Sequence, residues 1–112
     1  MKVTRLYTGD DGKSHLEVIT MPPSGDDRFP INVKEIIFRR SPSGSIFAAN
    51  APFRHFDFTI SGRWTIDLKD GTVEEFGPGD VVLAEDLTGP GHISTVVSDE
   101  PRIFILAPIT DK

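Results

Sequence analysis

The chain has 112 residues, of which 38% are hydrophobic and 26% charged, and its formal net charge is −5. This size predicts one domain with a single core over residues 1–112, and the acidic balance with scattered lysines and arginines excludes a typical nucleic-acid binder. The absence of cysteine excludes disulfides and thiolate sites, and no stretch approaches the ~20 apolar residues that a membrane span needs. The N-terminal segment lacks the apolar region of a signal peptide, so we expect a cytoplasmic protein.

Short runs rich in valine, isoleucine, phenylalanine and threonine follow one another along the chain and predict strands. In chain order, after a candidate at 3–7, they are residues 14–20, 33–40, 53–60, 63–68, 72–76, 80–84, 92–97 and 102–107. Residues 22–32 are predicted as the longest loop, and the pairs at 61–62 and 70–71 have the composition of two-residue hairpin turns. No window shows sustained helical spacing. Eight or nine short strands predict an all-β sandwich or barrel.

The strand at 53–60 has two faces of different character, because side chains alternate along a strand. One face carries a polar row with His55 and Asp57, and the other carries Phe56, Phe58 and Ile60. We expect the polar row to line a cavity and the apolar row to meet a second sheet or a second subunit. Since large exposed apolar patches are uncommon on monomers, the apolar row predicts a homodimer.

Two segments resemble the sequence motifs of small single-domain cupins of the RmlC-like jelly-roll type. They are "FRHFDFTISGRWTIDLKDG" at 53–71 and "EEFGPGDVVLAEDLTGPGHISTVV" at 74–97. The resemblance covers about residues 33–107 and implies an all-β double-stranded β-helix, or jelly-roll barrel. Its most specific match is "PGD" at 78–80, and the "AEDLTGPGH" loop resembles that of a subgroup of small bacterial cupins. Cupins commonly pair through their sheets, so the resemblance also implies a homodimer.

The chain departs from the usual cupin ligand set, in which three histidines and a glutamate bind one divalent metal. Residues 48–52 lack the His-x-His step of the motif, and His55 stands seven residues before Gly62, where many cupins have the glutamate. Of the usual ligands, His92 alone stays in place. A divalent metal on His55 and His92 is therefore one hypothesis. We expect no tightly bound cofactor, because each lost ligand weakens metal affinity.

The expected ligand-binding residues are His55, Asp57, His92, Glu85 and Trp64. The resemblance puts both imidazoles on inward-facing positions of neighbouring strands, close to Asp57. A core or interface role is the alternative for Trp64.

Glu85 and its neighbour Asp86 cannot both enter one cavity if the segment is extended, because consecutive side chains point to opposite faces. Asp86 is followed by Thr88 and Gly89, which is typical of a turn. His15, near a turn at the start of a strand, is expected at the surface.

Three functions from different classes agree with these features. The first is the binding of a small polar molecule in the barrel cavity. The second is a metal-dependent enzyme, such as a dioxygenase or isomerase, with a reduced ligand set. The third is a dimeric structural or interaction protein that associates through its phenylalanine face. Because one barrel serves many chemistries, the resemblance does not imply a particular reaction.

Overall fold

The computed structural model describes residues 1–110, which form ten strands in two sheets. The strands are β1 (Lys2–Thr8), β2 (Ser14–Thr20), β3 (Ile37–Ser41), β4 (Ile46–Ala49), β5 (His55–Ser61), β6 (Trp64–Asp67), β7 (Val73–Phe76), β8 (Val81–Glu85), β9 (His92–Val96) and β10 (Arg102–Pro108). The larger sheet has the order β2-β1-β8-β5-β10-β3 and the smaller has β4-β9-β6-β7. Within the described residues, no helix has the length and apolar character to cross a membrane.

The predicted strands are present, and the differences lie where local sequence is a weak signal. Strand β3 begins at Ile37 rather than at residue 33, and Val33 forms only an isolated bridge with Ile109. Strand β4 was not predicted. It is four residues long with two alanines, which are depleted in strands, and it forms an edge of the smaller sheet.

Strand β8 shows how one strand contributes to two apolar clusters. Val82 and Ala84 pack between the sheets, whereas Val81 and Leu83 pack on the outer face of the larger sheet. The alternation of a strand therefore explains why "VVLA" is a continuous apolar run: both of its faces are buried. The cluster between the sheets is completed by Leu6, Ala51, Trp64, Ile66 and Phe76.

The apolar row of β5, which we expect from the sequence to meet a second sheet or a second subunit, is partly covered within the chain. Phe56 is 7% exposed and packs with Val3 and Leu83 in the outer cluster, against which Met21 and Ile109 also pack. The chain itself therefore covers this end of the row. At the other end, Ile60 is 53% exposed.

The turn at 61–62 does not form the predicted hairpin, because β5 and β6 belong to different sheets. Gly62 has φ +82°, and a Cβ atom at this position would lie 2.7 Å from the carbonyl oxygen of Pro101 and 2.8 Å from the Cα of Arg102. The connection at 61–62, where the chain passes from one sheet to the other, is thus packed directly against the start of β10. The turn at 70–71 does join the paired strands β6 and β7, as predicted.

Gly62→Ala should destabilise the protein more than Gly71→Ala, which is the matched control. Gly71 also has a positive φ, of +98°, but a Cβ there meets nothing within 4 Å. The control therefore costs only the left-handed backbone penalty of roughly 1–2 kcal/mol, whereas Gly62→Ala adds an overpacking cost of about 1–3 kcal/mol. Urea unfolding measures both, and equal losses would contradict the close approach to β10.

Candidate functional site

A cavity of about 350 Å³ lies between the two sheets. Four of the predicted site residues, His55, Asp57, Trp64 and His92, line it, and each of these residues is at most 8% exposed. His55 and Asp57 come from β5 in the larger sheet, whereas Trp64 and His92 come from β6 and β9 in the smaller. The two histidines therefore reach one cavity from different sheets, and not from neighbouring strands as predicted.

A buried ion pair crosses one side of the cavity. Arg102 Nη2 donates to Asp57 Oδ1, and it also donates to Thr59 Oγ1 at 3.1 Å. The same hydroxyl oxygen accepts the indole N–H of Trp64 at 2.9 Å. Burial raises the pKa of the Asp57 carboxyl and lowers the pKa of the Arg102 guanidinium, while the attraction between the two charges opposes both shifts.

Two aromatic rings pack against the guanidinium of Arg102. Its Cζ atom lies 3.9 Å from the centroid of the Trp64 ring and 3.8 Å from the centroid of the Phe104 ring. Contacts of this kind between a cation and a ring face are stabilising, and more so when the cation is desolvated. The position of Arg102 is therefore fixed by rings from both sheets as well as by Asp57.

His92 is held by Asp86, whereas we expect it from the sequence to lie close to Asp57. Its Nδ1 lies 2.6 Å from Asp86 Oδ2, which also accepts the hydroxyl of Ser14 at 2.7 Å. Asp86 Oδ1 accepts the backbone N–H of Ala51 at 3.1 Å. The prediction that Asp86 is a turn residue is incomplete: its side chain is fully buried, and it fixes the ring that faces the cavity.

The loop between β8 and β9 brings Asp86 and His92 together over six residues. A Cβ atom on Gly91, which has φ +75°, would lie 2.5 Å from the carbonyl oxygen of Ala49. Asn50 donates to the carbonyls of Thr88 and Gly89 at 2.9 and 2.8 Å. The glycine-rich sequence is therefore required by close packing against the end of β4, and this packing positions His92.

His55 is oriented by its own strand. Its Nδ1 lies 2.8 Å from the carbonyl oxygen of Phe53. Because a carbonyl only accepts, Nδ1 carries the proton, and Nε2 is then the acceptor of the neutral ring. Nδ1 of His92 likewise donates, to the carboxylate of Asp86. Among residues 1–110, neither Nε2 atom is engaged in a hydrogen bond, so both can face a ligand in the cavity.

Glu85 was predicted as a ligand-binding residue, and the structure places it elsewhere. Ala84 lines the cavity, so the next side chain on β8 points to the outer face. There Glu85 accepts hydrogen bonds from Arg5 and from Arg54, the latter at 2.9 Å. Burial favours the neutral carboxyl, but the hydrogen bonds outweigh it and lower the pKa of Glu85. Its contribution to stability is present at neutral pH and lost as the pH falls through the lowered pKa.

His15 lies outside the cavity, as expected for a surface residue. Its Nε2 is 2.9 Å from Asp11 Oδ1, and its side chain is 38% exposed. The hydrogen bond from His15 lowers the pKa of Asp11.

Comparison with known proteins gives structural matches at low sequence identity. No family model and no curated protein matches the sequence. The chain is similar to an uncharacterized conserved protein with a double-stranded β-helix domain from Klebsiella pneumoniae, with a TM-score of 0.52 and 20% identity over 81% of this chain and 90% of that one. The fold is a double-stranded β-helix, as in cupins. The capsular polysaccharide assembling protein CapF of Staphylococcus aureus also matches, with a TM-score of 0.48 and 14% identity over 76% of this chain and 30% of CapF.

The donor set in this cupin-like cavity does not fit a three-ligand metal centre. Within residues 1–110, no group of three or more histidine, cysteine, aspartate or glutamate residues is placed to hold a metal ion. His55 and His92 offer two imidazole nitrogens, but Asp57 accepts hydrogen bonds from Arg102. Catalytic metal sites commonly take three protein ligands, and the two imidazoles alone do not reach that number.

Three charged residues that form or support the site were not predicted: Arg39, Asp86 and Arg102. Arg39 and Arg102 line the cavity from the inner faces of β3 and β10. Strand alternation could have indicated Arg102, since it shares a face of β10 with the apolar residues Phe104 and Leu106. An arginine at a strand end is more often solvent-exposed, which hides that signal.

Asp86→Ala should destabilise the protein by roughly 2 kcal/mol or more, because the buried donors of Ser14 and His92 lose their acceptor at about 1–3 kcal/mol each. Glu85→Ala is the matched control on the adjacent position. It removes ion pairs at the surface and should cost about 1 kcal/mol. Urea unfolding of both variants at neutral pH measures the difference. A loss in Asp86→Ala no larger than in the control would contradict the role of Asp86 in the core.

Proposed function

We propose that this protein binds a small polar molecule in the cavity between its sheets. The observation that carries the proposal is the pair of buried imidazoles, each with Nδ1 bonded to the protein and Nε2 free for a ligand. We also propose that the chain belongs to the RmlC-like subgroup of small cupins, because its "AEDLTGPGH" loop resembles theirs.

The walls of the cavity support a ligand site. Apolar side chains such as Trp64, Phe104 and Leu106 line the cavity together with polar side chains, and ligand pockets combine these two kinds of lining. The volume of about 350 Å³ lies at the lower end of known ligand pockets, so the ligand is small. The Nε2 atoms of His55 and His92 would accept hydrogen bonds from hydroxyl or amide groups of the ligand.

His55→Gln and His92→Gln should each weaken ligand binding about tenfold, the loss of ~1.4 kcal/mol expected when a hydrogen-bond acceptor is displaced. Trp64, the single tryptophan, lines the cavity, so its fluorescence reports binding of glycerol, glucose, glycolate and malonate as probes. His15→Gln, on the outer face, is the control and should bind as the wild type does. Equal affinity in all three variants would exclude the two buried histidines from the site.

Association is a second candidate function, favoured by an apolar row on the outer face of the larger sheet. Ile105 of β10 lies between Phe38 of β3 and Phe58 of β5 in register. Phe38 is 79% exposed, and it lies on an edge strand. Because large exposed apolar patches mark interaction sites, we propose that a second copy of the chain covers this row in a homodimer.

Light scattering should give twice the chain mass of 12.3 kDa for the wild type. Phe38→Glu should yield the monomer, because it places a charge in the apolar contact. Val73→Glu is the control: Val73 is 57% exposed on β7, the edge strand of the other sheet, and its substitution should leave the dimer intact. A wild type of monomer mass at micromolar concentration would rule out the dimer.

A further inference from the structure

One side of the cavity carries more positive than negative charge. Arg39 and Arg102 both line it, and Asp57 is the one carboxylate among the lining residues. Both guanidinium groups lie near the Phe104 ring, with Cζ distances to its centroid of 5.7 Å for Arg39 and 3.8 Å for Arg102. Two cations therefore share one aromatic ring beside a single anion.

The positive charge on this side of the cavity is not fully balanced by negative groups of the chain. Burial and then the nearby charge of Arg39 lower the pKa of Arg102, while Asp57 raises it. An additional anion between the two arginines would relieve this repulsion, since opposite charges within a few ångströms stabilise each other.

The buried guanidinium also has an unused donor. Arg102 Nη2 is engaged by Asp57 and Thr59, but Arg102 Nε has no hydrogen-bond partner in the described part of the chain, although it is fully buried. A buried donor without an acceptor is costly. The rest of the Arg102 side chain, which is 6% exposed, lines the cavity, and this part of the guanidinium is the one that a ligand anion can approach.

We propose that the ligand is a small hydroxycarboxylate, with its carboxylate between Arg39 and Arg102 and its hydroxyl groups donating to Nε2 of His55 and His92. The inference rests on the proposed binding function and specifies its ligand class. A guanidinium matches a carboxylate in geometry and charge. The imidazole end of the cavity, in contrast, accepts hydrogen bonds and suits neutral hydroxyl groups.

The test uses Trp64 fluorescence and calorimetric titration with glycolate, malonate and gluconate against glycerol and glucose, the uncharged probes. Carboxylates should bind and the uncharged probes should bind at least about tenfold more weakly, a difference of ~1.4 kcal/mol. Arg39→Gln removes one cation from an exposed side chain, and should weaken carboxylate binding about tenfold without affecting the fold. Arg40→Gln is the matched control, because Arg40 is the next residue of β3 and points to the opposite face.

Each further result counts against a defined part of the proposal. Glycerol or glucose binding as tightly as glycolate would overturn the carboxylate assignment and leave cavity binding intact. Inorganic phosphate binding without any carboxylate binding would overturn it as well, in favour of a phosphate ligand. Equal affinity in Arg39→Gln and Arg40→Gln would remove Arg39 from the site. No response to any probe at about 10 mM would overturn both the ligand class and the proposed function.

Discussion

The buried ion pair between Arg102 and Asp57 is the constraint around which the cavity is arranged. Removing two charges from water costs several kcal/mol for each ion, and their attraction repays this only when the geometry is good and the remaining polar groups are bonded. Thr59 supplies a further acceptor, and Trp64 and Phe104 pack against the guanidinium. These partners belong to β5, β6 and β10, so one guanidinium connects the larger sheet to the smaller. Loss of either charge would leave the other buried without a partner.

The neighbours Glu85 and Asp86 show what strand alternation predicts and what it leaves open. Alternation correctly predicts that one of the two carboxylates cannot reach the cavity side, but it does not say which. Ala84 is the inward residue at the end of β8, so Glu85 points outward to Arg5. Asp86 follows the strand, where alternation no longer applies, and its buried position depends on Ser14 and other partners distant in sequence. The turn-like composition around Asp86 therefore predicted the loop correctly, but it did not reveal the role of the Asp86 side chain.

The fold was predictable to a large extent because strands and their faces depend on local pattern. That His55 and Asp57 share one face follows from period-two alternation, and the resemblance added the barrel and the inward position of that face. Pairing is not local, however: β5 and β6 are consecutive and yet lie in different sheets, so the turn at 61–62 was misread as a hairpin. Arg102 was missed for a related reason. Its partner Asp57 lies 45 positions away, and only the pairing of β10 with β5 brings them together.

The charge of the cavity differs from the charge of the whole chain, and this difference bears on selectivity. A chain with a net charge of −5 repels anions at long range. At physiological ionic strength that repulsion is screened beyond roughly 8 Å, so an anion near the cavity mouth experiences mainly the lining groups. The lining cations are the exposed Arg39 and the buried Arg102, whose guanidinium lies between the rings of Trp64 and Phe104. Attraction for an anion is thus set locally by these two groups and not by the net charge of the chain.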